Sequence, residues 1–190
     1  DEVPLTTTIT VQPGVLLSAE PTALSALPGQ EQHYTLLLSN PGNSSDSYAF
    51  TLHSSQGYPM TLYAADCLTP ISSPVALSPC STLTLCLGIS VPISAASGTL
   101  DMATITATSS INGDLSSAIV LQTRVATLVA GLIGPRDLTG AAYPGHSAYY
   151  CQEWRNSGNA PDRGNIALVP DQGWPVRIWR DANGDSPIGV

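Results

Sequence analysis

Leu27-Pro28-Gly29-Gln30-Glu31-Gln32-His33-Tyr34-Thr35-Leu36-Leu37-Leu38-Ser39-Asn40-Pro41-Gly42-Asn43 alternates apolar and polar residues around Tyr34, Leu36 and Leu38 and then stops at a cluster of turn formers. A period of two places those three side chains on one face of an extended strand. Asn-Pro-Gly-Asn ends it, because Pro cannot continue a hydrogen-bonded ladder and Gly and Asn accept turn angles. The same stretch recurs 116 residues further on, where Pro28-Gly29 is matched by Pro144-Gly145. No gap is needed. Tyr34 falls on Tyr150, Asn40 on Asn156, Gly42-Asn43 on Gly158-Asn159, Asp46 on Asp162, Leu52 on Leu168, Gln56-Gly57 on Gln172-Gly173 and Pro59 on Pro175. Turn formers stay turn formers and core candidates stay core candidates, which marks a duplicated domain rather than shared composition.

Outward from that strand, further strands are expected at Val15 to Ser18, Tyr48 to Leu52, Pro59 to Ala65, Thr82 to Val91, Thr99 to Ala107 and Ser117 to Val125. Leu83, Leu85, Leu87, Ile89 and Val91 share one face of the fourth of these. Ile111-Asn112-Gly113-Asp114 separates the last two, and Asn-Gly there predicts a type I′ hairpin turn. The first repeat thus holds about seven strands at the spacing of a β-sandwich. No segment shows a helical period, and sixteen Pro with sixteen Gly would interrupt most helices.

Composition narrows the function classes. The chain has six Arg, no Lys and fourteen carboxylates, for a formal charge of -8, which argues against binding a phosphate backbone and so against nucleic acid. No apolar run approaches the ~20 residues of a membrane helix; Val125 to Ile133 is short and broken by Thr127 and Gly131. Asp1, with no initiator Met and no basic-then-apolar leader, reads as a mature chain end.

Four cysteines, Cys67, Cys80, Cys86 and Cys151, show no paired short spacings suited to zinc, so a disulfide in an oxidising compartment is expected. Cys80 and Cys86 lie along one extended segment and are separated by roughly 20 Å at the rise of a strand, too far to bond. The expected pair is Cys67 with Cys80, clamping the ends of the connection between them; the competing reading leaves all four reduced and packed.

The order of these features carries a resemblance. Leu27-Pro28-Gly29 leads to Tyr34, then to Asn40-Pro41-Gly42-Asn43 and Asp46; Leu77-Ser78-Pro79 runs into an apolar strand ending at Val91-Pro92, and Gly98 precedes another strand. This resembles the Ig-like repeats of bacterial and archaeal cell-surface and secreted proteins. Those repeats usually carry Pro-Gly before the long strand, whereas this chain has Pro79-Cys80. The resemblance implies an all-β fold of tandem Ig-like β-sandwich domains and a secreted or cell-surface setting. On it the chain divides into an N-terminal extended arm (1–11), a first repeat (12–126) and an incomplete second repeat (127–190). The modules of such proteins serve as spacers, adhesion units, filament or surface-layer subunits and enzyme appendages, so fold alone does not select among them.

No catalytic residues are expected. His33, His53 and His146 are scattered, no His-Glu-x-x-His places two ligands on one helical face, and no Gly-x-Ser-x-Gly holds a nucleophile on a strained turn. No cofactor is expected apart from calcium. Asp181-Ala182-Asn183-Gly184-Asp185 sets Asp181, Asn183 and Asp185 at alternate positions around a glycine, as at the start of a calcium loop. The glycine is in the fourth place rather than the sixth, and the same residues suit an Asn-Gly hairpin after Pro175 to Trp179. Asn43-Ser44-Ser45 is a formal glycosylation sequon in a turn.

Val3, Leu5, Ile9 and Val11 give the arm one apolar face, suited to adding a strand to a neighbour. Position 190 corresponds to position 74 of the first repeat. The expected role is a structural subunit or segment of an extracellular assembly, a filament, surface appendage or surface layer, with copies joined head to tail by strand addition. The alternative is an adhesive or carbohydrate-binding module. It rests on Tyr149, Trp174 and Trp179 as ligand or interface aromatics, and its partner is a carbohydrate or a surface protein. Tyr150 and Trp154 fall at the places of Tyr34 and Leu38 and are expected on the core face.

Overall fold

The computed structural model describes residues 6–179, and the chain divides into two compact units that meet between Thr127 and Leu128. The described residues contain strands and turns and no helix. The first unit is a β-sandwich. Its strands in chain order are β1 (Leu16–Ala19), β2 (Ala23–Ala26), β3 (Glu31–Asn40), β4 (Asp46–Ser54), β5 (Met60–Ala64), β6 (Val75–Leu77), β7 (Ser81–Ser90), β8 (Leu100–Ser109) and β9 (Ser116–Val125). One sheet has the order β1-β3-β7-β5 and the other β2-β9-β8-β4-β6. Nine strands replace the seven or so expected: β2 and β6, four and three residues long, are too short to show a period of their own.

The alternation read from residues 31–39 is the core. Tyr34 and Leu36 of β3 lie beside Leu87 and Leu85 of β7 in the same sheet, Leu38 and Ile89 extend that face, and Tyr48, Ile105, Leu121 and Val125 come from the other sheet; all are buried. Full burial of each aliphatic side chain stabilises the sandwich by roughly 1.5–3 kcal/mol. Most polar groups that enter the core find partners; among the described residues, Ser44 Oγ and Asp101 Oδ2 are buried without one. The Tyr34 phenol donates to Gln122 O at 2.7 Å and shares a 2.9 Å hydrogen bond with the buried Thr123 hydroxyl, which ties β3 to β9 across the sandwich. Asp101 of β8 accepts from Ser54 Oγ, Ser55 Oγ and Gln56 N and so fixes the exit of β4. Asp46, buried at the start of β4, accepts from Ser109 Oγ and the Ser110 and Ile111 amides and holds the β8–β9 connection.

That connection joins two antiparallel strands, but its turn differs from the expected type I′. Neither Asn112 nor Gly113 has positive φ. The bond from Leu115 N to Asn112 O centres the turn on Gly113-Asp114 instead, with Asp114 N donating to Asn112 Oδ1 and Ile111 anchored by Asp46. The side-chain contacts of Asn112 and Asp46 outweigh the local preference of Asn-Gly.

The disulfide also differs. Cys67 bonds to Cys86, with Cα atoms 5.2 Å apart, and Cys80 is a free, exposed thiol, so the expected Cys67–Cys80 pair is incorrect. The reason lies in strand register. Tyr63 of β5 pairs with Cys86 of β7, and the turn closed by Cys67 N on Ala64 O brings Cys67 back over that strand. Cys80 lies in the turn before β7, and its Sγ approaches Gly42 O at 3.7 Å. Its φ of 54° is the left-handed conformation that a glycine would adopt freely.

The second unit has two described strands, β10 (Gly131–Gly134) and β11 (Glu153–Asn156), paired antiparallel. Leu132 opposite Arg155 and Ile133 opposite Trp154 reproduce, 116 positions on, Leu16 opposite Ser39 and Leu17 opposite Leu38. The left-handed glycines recur as well: Gly29 and Gly145 have φ of 80° and 81°, and Gly57 and Gly173 of 69° and 67°.

Candidate functional site

The feature built twice is the turn that receives the incoming chain. Asn40 is buried at the end of β3; its Nδ2 donates to Ser44 O at 2.9 Å and reaches Leu77 O and Ser78 O, while its Oδ1 accepts from Gly42 N at 3.0 Å. This presents Asn43, whose Oδ1 accepts from Gln12 N at 2.8 Å, whose own amide donates to Gln12 O at 3.0 Å, and whose Nδ2 donates to Thr10 O at 2.9 Å. Asn43 thus closes a two-way clamp on the backbone leading into β1. Gly42 must be glycine, since a Cβ there would lie 2.5 Å from Gln12 O and 2.8 Å from Gly14 N. In the second unit Asn156 Nδ2 donates to Ala160 O at 2.8 Å and Gly158 N to Asn156 Oδ1 at 2.9 Å. Leu128 N then donates to Asn159 Oδ1 at 2.7 Å, and Asn159 N to Leu128 O at 3.1 Å. The sequence marks these residues as turn formers; their grip on the preceding segment needs the fold to be seen. The sequon asparagine, Asn43, has its side-chain amide committed to this clamp.

The other expected site residues are not gathered into one place. Val3, Leu5, Asp181, Asn183 and Asp185 lie outside the described residues. Ile9 and Val11, on the apolar face of the arm, are exposed, Ile9 at 82%. Tyr149, Trp174 and Trp179 are exposed, Trp174 at 73%. Tyr150 and Trp154 depart from the expected core positions: Tyr150 is 50% exposed where Tyr34 is 0%, because among the described residues of this unit no second sheet packs over that face. The Trp154 ring lies instead against backbone, and a Cβ on Gly164 would come within 2.9 Å of it.

Sequence reading missed a cluster on the outer face of the first sheet. His33 Nε2 is 3.0 Å from Glu31 Oε2, the Tyr63 hydroxyl donates to Glu31 Oε1 at 3.2 Å, and the His33 and Tyr63 rings meet edge-on at 6.0 Å beside the disulfide. Gly88 lies beneath them, and a Cβ there would meet Tyr63 at 2.8 Å. His33, Cys67 and Cys86 bring their donor atoms within 4.8 Å of one another. Metals bind thiolate, and a disulfide offers none, so the cluster is not a metal site in this state. Nearby, Asp66 accepts from the amide and hydroxyl of Thr69 and the amide of Leu68, which lowers its pKa to about 2. The surface depression beside this region, lined by Pro70, Ile71, Val75, Leu83 and Leu85, is apolar and presents no titratable group.

No family model matches the chain, and no curated protein matches it. Solved structures match on fold. A FixG-related protein from Vibrio parahaemolyticus aligns at 11% identity and TM-score 0.43, covering 60% of this chain and 95% of that one. The PapD-like domain 7 of human CEP192 aligns at 10% identity and TM-score 0.38, covering 66% and 94%. Domains 4 and 5 of the S-layer protein SbsC align at 14% identity and TM-score 0.37, covering 60% and 54%. Likeness at this level carries no argument about what the present chain does.

Proposed function

We propose that this chain is a structural segment of an extracellular assembly, a filament, surface appendage or surface layer, in which Ig-like modules follow one another and copies join head to tail by β-strand addition. The observation that carries the reading is the duplicated clamp: the same asparagine grips the same backbone position ahead of the first strand in both units, with the same strand register behind it. A device repeated at the junction of each bead is what a linear array requires. The Cys67–Cys86 disulfide supports an oxidising setting, and no described helix is long and apolar enough to cross a membrane. Negative-stain imaging and sedimentation of the chain with and without residues 1–11 test the reading. End-to-end polymers that require those residues are expected; a chain that stays monomeric at high concentration with its arm intact overturns it.

A second reading, adhesion or carbohydrate binding, is favoured by the exposure of Tyr149, Trp174 and Trp179, rings able to stack on a sugar face. Glycan-array binding abolished by Trp174→Ala would support it over a purely structural role.

A further inference from the structure

The 116-residue period extends to the first residues of the chain. Setting residues 1–11 on 117–127 aligns Val3 with Ile119, Leu5 with Leu121, Thr7 with Thr123 and Ile9 with Val125, again without a gap. In β9 these four positions point inward: Leu121, Thr123 and Val125 are buried, and Ile119 packs against the core. Between them, Ala118, Val120, Gln122 and Arg124 are exposed, and the arm has Glu2, Pro4, Thr6 and Thr8 in those places. We propose that residues 1–11 are the closing strand of an Ig-like module of this same kind, other than the module they lead into, with Val3, Leu5, Thr7 and Ile9 filling the inward places of β9.

Two details go beyond hydrophobic alternation. Thr123 is the one polar residue on the inward face of the buried stretch of β9, and it is there because its hydroxyl meets the buried Tyr34 phenol at 2.9 Å. The arm carries a threonine at that place, where an arbitrary apolar strand would carry another aliphatic. The proline is the second detail. Along β9, Gln122 N and Ala126 N donate towards Thr22 and Ala26 on the β2 side, while Val125 N donates to Thr99 O on the β8 side. Amides alternate in direction along a strand, so position 120 also faces the β2 side, yet the β2 ladder spans only Gln122 to Val125. Position 120 is therefore a place where a missing N–H breaks no ladder bond, and Pro4 falls on it.

The module in question is another one, since Ser116–Val125 already occupies this place in the first unit. The spacing agrees: three residues after Ile9 comes Gln12 in the Asn43 clamp, and three after Val125 comes Leu128 in the Asn159 clamp. The recognised partner is a sandwich that presents a β8-type strand and a Tyr34-type hydroxyl. This inference rests on the proposed structural role and names the register by which its strand addition works.

The test is a full-length chain in which residues 117–127 are replaced by a copy of residues 1–11, beside a control in which the inserted copy is slipped by one residue so that every side chain changes face. Amide exchange protection of β8 and the thermal midpoint of the first unit are read. The in-register chimera is expected to keep β8 protected and to melt within about 4 °C of the parent, the shift that a loss of order 1 kcal/mol brings in a domain this size. The slipped control should lose protection. Replacing the inserted leucine of position 5 by Asp should also abolish protection, whereas Asp in place of the inserted threonine of position 8 should not. An in-register chimera as unprotected as the slipped one, or one indifferent to Asp at the leucine, overturns the inference. Either result leaves the structural role itself to the imaging experiment.

Discussion

At the scale of single residues, Cys67 and Cys80 both adopt positive φ, at 56° and 54°, but only one of them is held by a bond. Cys67–Cys86 closes a loop across a sequence separation of 19, and a loop of that size restricts the unfolded chain by about 3 kcal/mol. Cys86→Ala is expected to lower the stability of the first unit by about that amount in urea denaturation, whereas Cys80→Ser stays within about 0.5 kcal/mol of the parent. Equal effects of the two substitutions would contradict the pairing. The sequence does show why Cys80 and Cys86 are kept apart, because distance along one strand is legible from spacing. It does not show which strand crosses Cys86. The Tyr63-to-Cys86 register is set by the whole β5–β7 ladder and by the turn at Ala64, and no local signal near Cys67 reports either.

At the scale of elements, the long strands were legible and the short ones were not. β3, β7, β8 and β9 each run ten residues, enough for alternation between core and solvent to repeat several times. β2 and β6 are defined by their partners: β2 by the parallel ladder with β9, β6 by three pairings with β4. The clamp is likewise an element-level device. Asn43→Ala removes the acceptor for Gln12 N and the donor to Thr10 O while leaving the Asn40 turn intact. Faster amide exchange at Gln12 is expected, with a loss of about 1 kcal/mol, and Asn159→Ala should act in the same way at Leu128. Unchanged protection at Gln12 in the Asn43 variant would remove the clamp from the account. The type I′ turn read from Asn112-Gly113 shows the opposite failure. There the local signal was clear, but buried Asp46, 64 and 65 residues away in sequence from the two amides it holds, decided the geometry.

At the scale of the whole molecule, the all-β fold follows from patterning, and the two-unit division follows from the repeat that the sequence displays without gaps. What patterning could not supply was the exposure of the second unit's rings, because a repeated residue keeps its face but not its surroundings. The first unit's interior has its own pH signature. Burial pushes the Tyr34, Tyr48 and Tyr58 phenols above their ordinary value of 10.0, with the Thr123 hydrogen bond offsetting part of the effect at Tyr34. Each is neutral in the fold at a pH where the unfolded chain has begun to ionise. Stability is therefore unaffected by these groups below pH 10 and falls as pH rises above it. In an alkaline titration, the phenolate absorbance of these three residues should rise only as far-ultraviolet circular dichroism shows the sheets being lost. Ionisation of all three with the sheets intact would contradict their burial.

The parallel ladder between β2 and β9 has a consequence for behaviour under tension. β2 lies near the beginning of the first unit and β9 at its end, and in a parallel pair the leading end of one strand is opposite in direction to the trailing end of the other. Pulling the unit from its two sides therefore drags these strands lengthwise past each other and strains their hydrogen bonds all at once, in shear, rather than peeling them apart one by one.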